Sequence, residues 1–133
     1  MVNEKTLTSA EVLAEEVIRG ILEKKGLEIS RLNLGKIHST VCDYFIICHG
    51  TSSTHVGAIA DSVEEQVSKT TGLKPRRKEG FMNAEWILLD YLDVVVHVFQ
   101  EEVRHFYRLE ELWADAPIER ISDEDPEYIF KKQ

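Results

Sequence analysis

A chain of 133 residues, 43% hydrophobic and 30% charged, has the size and balance of one soluble globular domain around a single core. Sixteen basic against twenty-four acidic side chains give a formal charge of -8, which opposes broad adhesion to nucleic-acid phosphates, allows little direct nucleic-acid contact and suits a basic protein partner. No basic-then-apolar signal opens the chain, and its apolar runs fall far short of the roughly 20 residues of a membrane helix, so a cytoplasmic protein without membrane contact is expected.

The first element is marked by Thr8-x-x-Glu11, a capping box, and predicts a helix from about Ser9 to about Lys25. Leu13, Val17 and Ile21, with Ala14, Ile18 and Leu22 beside them, form its apolar stripe, and Gly26 after Lys24-Lys25 is a natural stop. Residues 27–34 alternate imperfectly and predict an edge strand. Residues 44–48 form a compact apolar strand ending at His49-Gly50, after which Thr51-Ser52-Ser53-Thr54 supplies hydroxyl caps for a helix starting near Thr54. Cys42 and Cys48, assigned to that one strand, would stand about 20 Å apart, beyond disulfide reach, and read as reduced core thiols. Val56, Ile59, Ala60, Val63 and Val67 make the second helix's stripe, which ends before Gly72. Residues 73–77 predict a returning strand, and the basic run Lys74-Pro75-Arg76-Arg77-Lys78 reads as a solvated turn or edge.

Residues 85–100 carry the most information, because Asp90, Asp93 and His97 interrupt an otherwise apolar stretch. Trp86, Ile87, Leu88 and Leu89 make one strand, residues 90–93 a turn, and residues 94–99 a second strand rich in β-branched and aromatic side chains. Alternation puts Val94, Val96 and Val98 on one face and Val95, His97 and Phe99 on the other, so His97 breaks one apolar face only. A last helix follows Gln100, with Val103, Phe106, Tyr107, Leu109, Leu112 and Trp113 as its apolar face, and Pro117 prevents easy continuation. The chain thus divides into a domain over residues 1–116 and an acidic tail over 117–133, weakly docked or frayed. Without internal repeats, the elements predict one α+β domain, a mixed sheet flanked by helices.

Three chemistries compete for the polar residues. Gly50-Thr51-Ser52 at a helix N-terminus suits a phosphate in a nucleotidyl or phosphoryl transferase, against which stands plain helix capping. Asp90 and Asp93, an odd spacing across a turn, do not face one way as a metal-binding pair on a strand must, and turn chemistry accounts for both. His38, Cys42, Cys48, His49, His55, His97 and His105 show no standard ligand spacing, and no serine or cysteine stands in a catalytic context. The remaining reading is a binding module presenting Trp86, Asp90, Tyr91, Asp93 and His97 as one polar-aromatic patch to a lysine- and arginine-rich surface.

Three ordered blocks carry a family resemblance: Asp43-Tyr44-Phe45-Ile46-Ile47-Cys48-His49-Gly50-Thr51-Ser52-Ser53-Thr54-His55, then Gly80-x-x-x-Ala84-Glu85-Trp86-Ile87-Leu88-Leu89-Asp90-Tyr91-x-Asp93-Val94-Val95-Val96-His97-Val98-Phe99, then Glu101-Glu102-Val103-Arg104-x-Phe106-Tyr107-x-Leu109-Glu110-x-Leu112-Trp113. Over about residues 8–113 the chain closely resembles the ribosomal silencing factor, or Iojap, family. Leu92 departs from the pattern, which usually has glycine there.

The resemblance implies a nucleotidyltransferase-like fold without demonstrated transfer chemistry, hence no enzyme and no cofactor. It implies binding to the large ribosomal subunit through ribosomal protein number fourteen, steric exclusion of the small subunit and lowered translation when nutrients are scarce. Organelle relatives act in ribosome assembly, and dimers are known in the family, so an assembly role and a homodimer stay open, as does nucleotide binding at residues 50–53. By position, Trp86, Asp90, Asp93 and His97 are the implied contact residues or their support, with Gly50, Thr51, Ser52 and His55 next.

Overall fold

The computed structural model describes residues 8–37, 42–122 and 124. Thr8 accepts from the Glu11 amide at 3.1 Å while Glu11 Oε1 accepts from the Thr8 amide at 2.8 Å, so the capping box forms and starts α1 at Ser9–Glu23. After it come β1 (Leu27–Asn33), a single 3-10 turn (Leu34–Ile37), β2 (Tyr44–Gly50), α2 (Ser53–Thr71), β3 (Arg77–Glu79), β4 (Trp86–Asp90), β5 (Val94–Gln100), α3 (Glu101–Tyr107), α4 (Leu109–Leu112) and β6 (Ile118–Ile121). Ser52 Oγ caps α2 by accepting from the His55 amide at 3.1 Å, and Gly72, at φ 78, ends it.

The strands form one six-stranded sheet in the order β3-β4-β5-β2-β1-β6. Among the described residues only the β2–β5 contact is parallel, because α2 carries the chain back across the sheet between them. Each face buries its own apolar set. Val94, Val96 and Val98 of β5 join α1 and α2 in one core, while Val95 and Phe99 join Phe45, Leu32 and Leu34 in the other, as the alternation predicts. Fully burying a side chain of this kind contributes about 1.5–3 kcal/mol, so both faces are hydrophobically stabilised. On the helical side α1 and α2 pack closely at Gly20, where a Cβ would lie 2.7 Å from Val63 Cα. Ser62 Oγ donates there to the Gly20 carbonyl at 2.8 Å.

Five expectations need correction. β1 is interior, not an edge, because β6 pairs along it from Ile29↔Ile121 to Leu32↔Ile118. The division at residue 117 therefore does not fall at the sheet's boundary: Ile118–Ile121 satisfies the outer amides of β1, and Arg31 Nη2 adds an ion pair to Glu119. Residues 73–76 are not strand. Pairing with β4 starts at Arg77↔Asp90, the Pro75 ring having no amide to donate to a ladder. The expected single last helix is two, broken at Arg108 with φ 51, a left-handed residue that closes α3 by donating its amide to the Arg104 carbonyl. Cys42 precedes β2 instead of lying in it; both cysteines are free and buried, and burial pushes the Cys48 thiol up to about 12. His38 lies outside the described residues. No helix among the described residues is long and apolar enough to cross a membrane.

Candidate partner-binding surface

Antiparallel pairing of β4 and β5 sets Trp86 opposite Phe99 and Leu88 opposite His97, which brings Trp86 and His97 together diagonally on one face. The Trp86 indole Nε1–H donates to His97 Nδ1 at 3.1 Å. Accepting at Nδ1 requires a neutral imidazole with its proton on Nε2, and that Nε2 is buried with no hydrogen-bond partner among the described residues. His97 is only 4% exposed, and burial drives its pKa from 6.5 down to about 4, so the ring is uncharged at neutral pH. Phe45 meets it edge-on at 4.6 Å and Phe99 stacks at 6.3 Å.

From this buried pair the rings continue outward. Trp86 is half-buried and lies 4.8 Å from both Phe99 and Tyr107 of α3, and Tyr107 abuts Phe106 at 5.1 Å. Phe106 is 78% exposed, Tyr107 50% and Leu112 of α4 73%. All three are expected on the core-facing side of one helix; instead Phe106 and Tyr107 are exposed beside the break at Arg108 and Leu112 is exposed at the end of α4. Large apolar side chains grouped this way on a surface mark an interaction site.

A buried polar network holds that elbow to the sheet. Arg104 of α3, 5% exposed, pairs with Glu110 of α4 and approaches His49 Nδ1 at 2.9 Å. Ser30 Oγ donates to Glu110 at 2.8 Å, and Arg120 of β6 reaches the same Ser30 oxygen at 2.8 Å. Burial alone would raise the Glu110 pKa, but its bonds to Arg104 and Ser30 outweigh it and hold the carboxyl below the usual carboxylate range. His49 is lowered by burial first and by the Arg104 charge second. Sequence reasoning missed this network; its one signal is an arginine directly after Val103 and two residues before Phe106, with His49 at the end of an apolar strand.

The aspartates stand elsewhere. Asp90 closes β4, four positions or about 13 Å along the strand from Trp86. It is 4% exposed, accepts from the Leu92 amide at 2.8 Å and pairs with Arg76 at 3.2 Å. Burial raises its pKa, yet the Leu92 amide and Arg76 together leave it lowered. Leu92, at φ 80, is the centre of a three-residue turn in which the Asp93 amide donates to the Tyr91 carbonyl at 3.0 Å, and the Asp93 carbonyl receives the Asp43 and Tyr44 amides. The Asp93 side chain is exposed. The expected single patch is therefore two places at opposite ends of β4, with Trp86 and His97 at one and Asp90, Tyr91 and Asp93 at the other.

Gly50, Thr51, Ser52 and His55 lie at the Trp86 end, since Gly50 pairs with Gln100 where Trp86 pairs with Phe99. The His55 ring is committed at both nitrogens: Nδ1 accepts from the Thr51 amide at 2.9 Å and Nε2–H donates to the Lys24 carbonyl at 2.7 Å, tying α2 to the end of α1. Two of the amides at this helix start already have partners, the Thr51 amide donating to His55 Nδ1 and the His55 amide to Ser52 Oγ. Among the described residues, no three or more His, Cys, Asp or Glu side chains cluster to hold a metal.

The chain is thus a mixed α+β domain, a six-stranded sheet flanked by helices, with exposed aromatic side chains at the α3–α4 elbow. Residues 6–133 match the family described as RsfS, ribosomal silencing factor during starvation, and the chain belongs to that family. It is 40% identical over 109 residues to the ribosomal silencing factor RsfS of Halalkalibacterium halodurans, covering 82% of this chain and 92% of the relative, and 45% identical over 96 residues to that of Bacillus subtilis, covering 72% and 80%. A protein named for mitochondrial assembly of the ribosomal large subunit in Mus musculus is 36% identical over 76 residues, covering 53% of this chain and 32% of that one. A crystal structure of a Chromobacterium violaceum protein superposes with TM-score 0.75 at 32% identity, covering 80% of this chain and 88% of the other. One from Bacillus halodurans gives 0.70 at 37%, covering 84% and 99%.

Proposed function

We propose that this chain binds the large ribosomal subunit through ribosomal protein number fourteen and sterically blocks joining of the small subunit, repressing translation in the cytoplasm without making or breaking a bond. The carrying observation is the exposed run of Phe106 and Tyr107 that continues through half-buried Trp86 into the core. Aromatic anchors backed by a rigid core are what interfaces spend most of their binding energy on. Glu101, Glu102, Glu110 and Glu111 outnumber Arg104 and Arg108 around that run, and this favours a basic partner and faster encounter with it. In this reading Trp86 makes contact, His97 supports it from beneath, and Gly50, Thr51, Ser52 and His55 shape the neighbouring end of the sheet. Asp90 supports the far turn and Asp93 offers a peripheral charge. Occlusion needs only a rigid body held in place, so affinity sets potency.

Sedimentation of the purified protein with large subunits, followed by addition of small subunits, tests the proposal. Co-sedimentation with reduced joining is expected, and Trp86→Ala or Tyr107→Ala should weaken binding at least about tenfold while circular dichroism stays native. Failure of the native chain to bind would refute it. The mouse relative's name favours a second reading, assembly of the large subunit, which binding without a joining defect would support. Calorimetry with nucleotide and Mg²⁺ should be silent, because the Thr51 and His55 amides already donate within the protein; heat of binding would revive the transferase reading.

A further inference from the structure

We infer that His97 is a positioning residue, whose buried Nδ1 accepts the Trp86 indole N–H and fixes the orientation of that ring on the partner-binding face. The inference rests on the reading of Trp86 as a contact residue given above. His97 is itself too buried, at 4% exposure, to meet a partner. Its influence on binding must pass through a neighbour, and Trp86 is the neighbour it holds by a directional bond.

The other contacts of Trp86 do not set its angle. Phe99 and Tyr107 each lie 4.8 Å from it at interplanar angles of 31° and 48°, tilted ring contacts that are not directional and along which a flat ring can slide or swing. A hydrogen bond weakens steeply once bent, so the 3.1 Å bond to Nδ1 restricts both the tilt and the depth of the indole. His97 in turn cannot move: Phe45 and Phe99 pack on its ring, and β5 lies between β4 and β2 with Leu88 and Ile47 beside it. The arrangement leaves Nε2–H buried and without a partner among the described residues. A leucine there would avoid that cost in stability, so the histidine is explained by what its other nitrogen holds.

Large-subunit binding by the full chain is measured for His97→Leu, which removes the acceptor, His97→Asn, whose amide oxygen replaces Nδ1, Trp86→Phe, and the Trp86→Phe/His97→Leu pair. A single hydrogen bond is worth about three- to tenfold in affinity. His97→Leu is expected to weaken binding by about that factor, His97→Asn to restore most of it, and the pair to bind no worse than Trp86→Phe alone. The Trp86 indole N–H resonance, with Trp113 as internal reference, should shift in His97→Leu and stay near its native place in His97→Asn. In the native protein, histidine nitrogen shifts should report Nδ1 bare and Nε2 protonated, a measurement that stands even if His97→Leu does not fold. The opposite tautomer, native binding by a folded His97→Leu, or full additivity in the pair would overturn the inference while leaving Trp86 a contact residue. Native binding by Trp86→Phe and Trp86→Ala alike would refute the partner-face reading itself.

Discussion

Acid should destabilise this protein through His97 well before its carboxylates titrate. In the fold the imidazole is held neutral by burial with a pKa of about 4; in the unfolded chain it returns to about 6.5. Between those values the unfolded state binds a proton that the folded state refuses, so the contribution is fully present above pH 6.5 and is lost as pH falls toward 4. At about 1.4 kcal/mol for each tenfold change, the whole gap is worth about 3 kcal/mol, of which about 2 kcal/mol is lost between pH 7 and pH 5. Urea unfolding at pH 7 and pH 5 of the native chain and of His97→Asn measures it. His49, also lowered, and the carboxylates of Asp90 and Glu110 add acid sensitivity of the same sign, but they are common to both proteins, so the difference isolates His97. The variant should lose about 2 kcal/mol less than the native chain over that range. Equal losses would show that His97 is not the buried neutral ring described.

Leu92 at φ 80 carries a side chain through a backbone region that costs a bulky residue about 1 kcal/mol or more. Leu92→Gly should therefore raise the thermal midpoint, by an amount equivalent to roughly 1 kcal/mol, unless the extra freedom of glycine in the unfolded chain cancels the gain. Glu110→Ala strips the partner from Arg104, leaving a buried guanidinium with a histidine, a hydroxyl and a carbonyl; denaturant unfolding should show a loss of about 3 kcal/mol, and Arg104→Met/Glu110→Ala together should cost less than the two singles added.

Most of the architecture was legible because it rests on local periodicity. Thr8 and Glu11 located α1, Ser52 and Gly72 bracket α2 close to where hydroxyls and glycine suggested, and the alternation of residues 94–99 correctly divided valines from His97 and Phe99. What was not legible depends on distant partners. Nothing near residues 29–32 states that Ile118–Ile121 will lie beside them, so an interior strand reads as an edge. Phe106 and Leu112 look like core residues by spacing, and only the left-handed Arg108 turns them outward. Trp86 and His97, eleven residues apart, were suspected jointly from strand geometry, but the bond between them required the register Leu88↔His97. Asp90 shares the face of Trp86 by parity, yet its distance along β4 and the waiting Leu92 amide assign it to the turn.

The pairing of β1 with β6 joins residues some 90 positions apart, the first strand with the last described one. Such a contact pays its loop-closure entropy late and slowly. During synthesis, β1 therefore emerges early and must keep its outer row of amides unsatisfied, or lent to water, until Ile118–Ile121 has left the ribosome. For that interval the nascent chain carries an open strand edge rich in isoleucine and leucine, the kind of template on which neighbouring chains stack. Arg31, placed in the middle of β1 and later paired with Glu119, puts a charge on that edge while it waits. Shortening the chain before Ile118 would make the interval permanent, converting a step in folding into a route to aggregation.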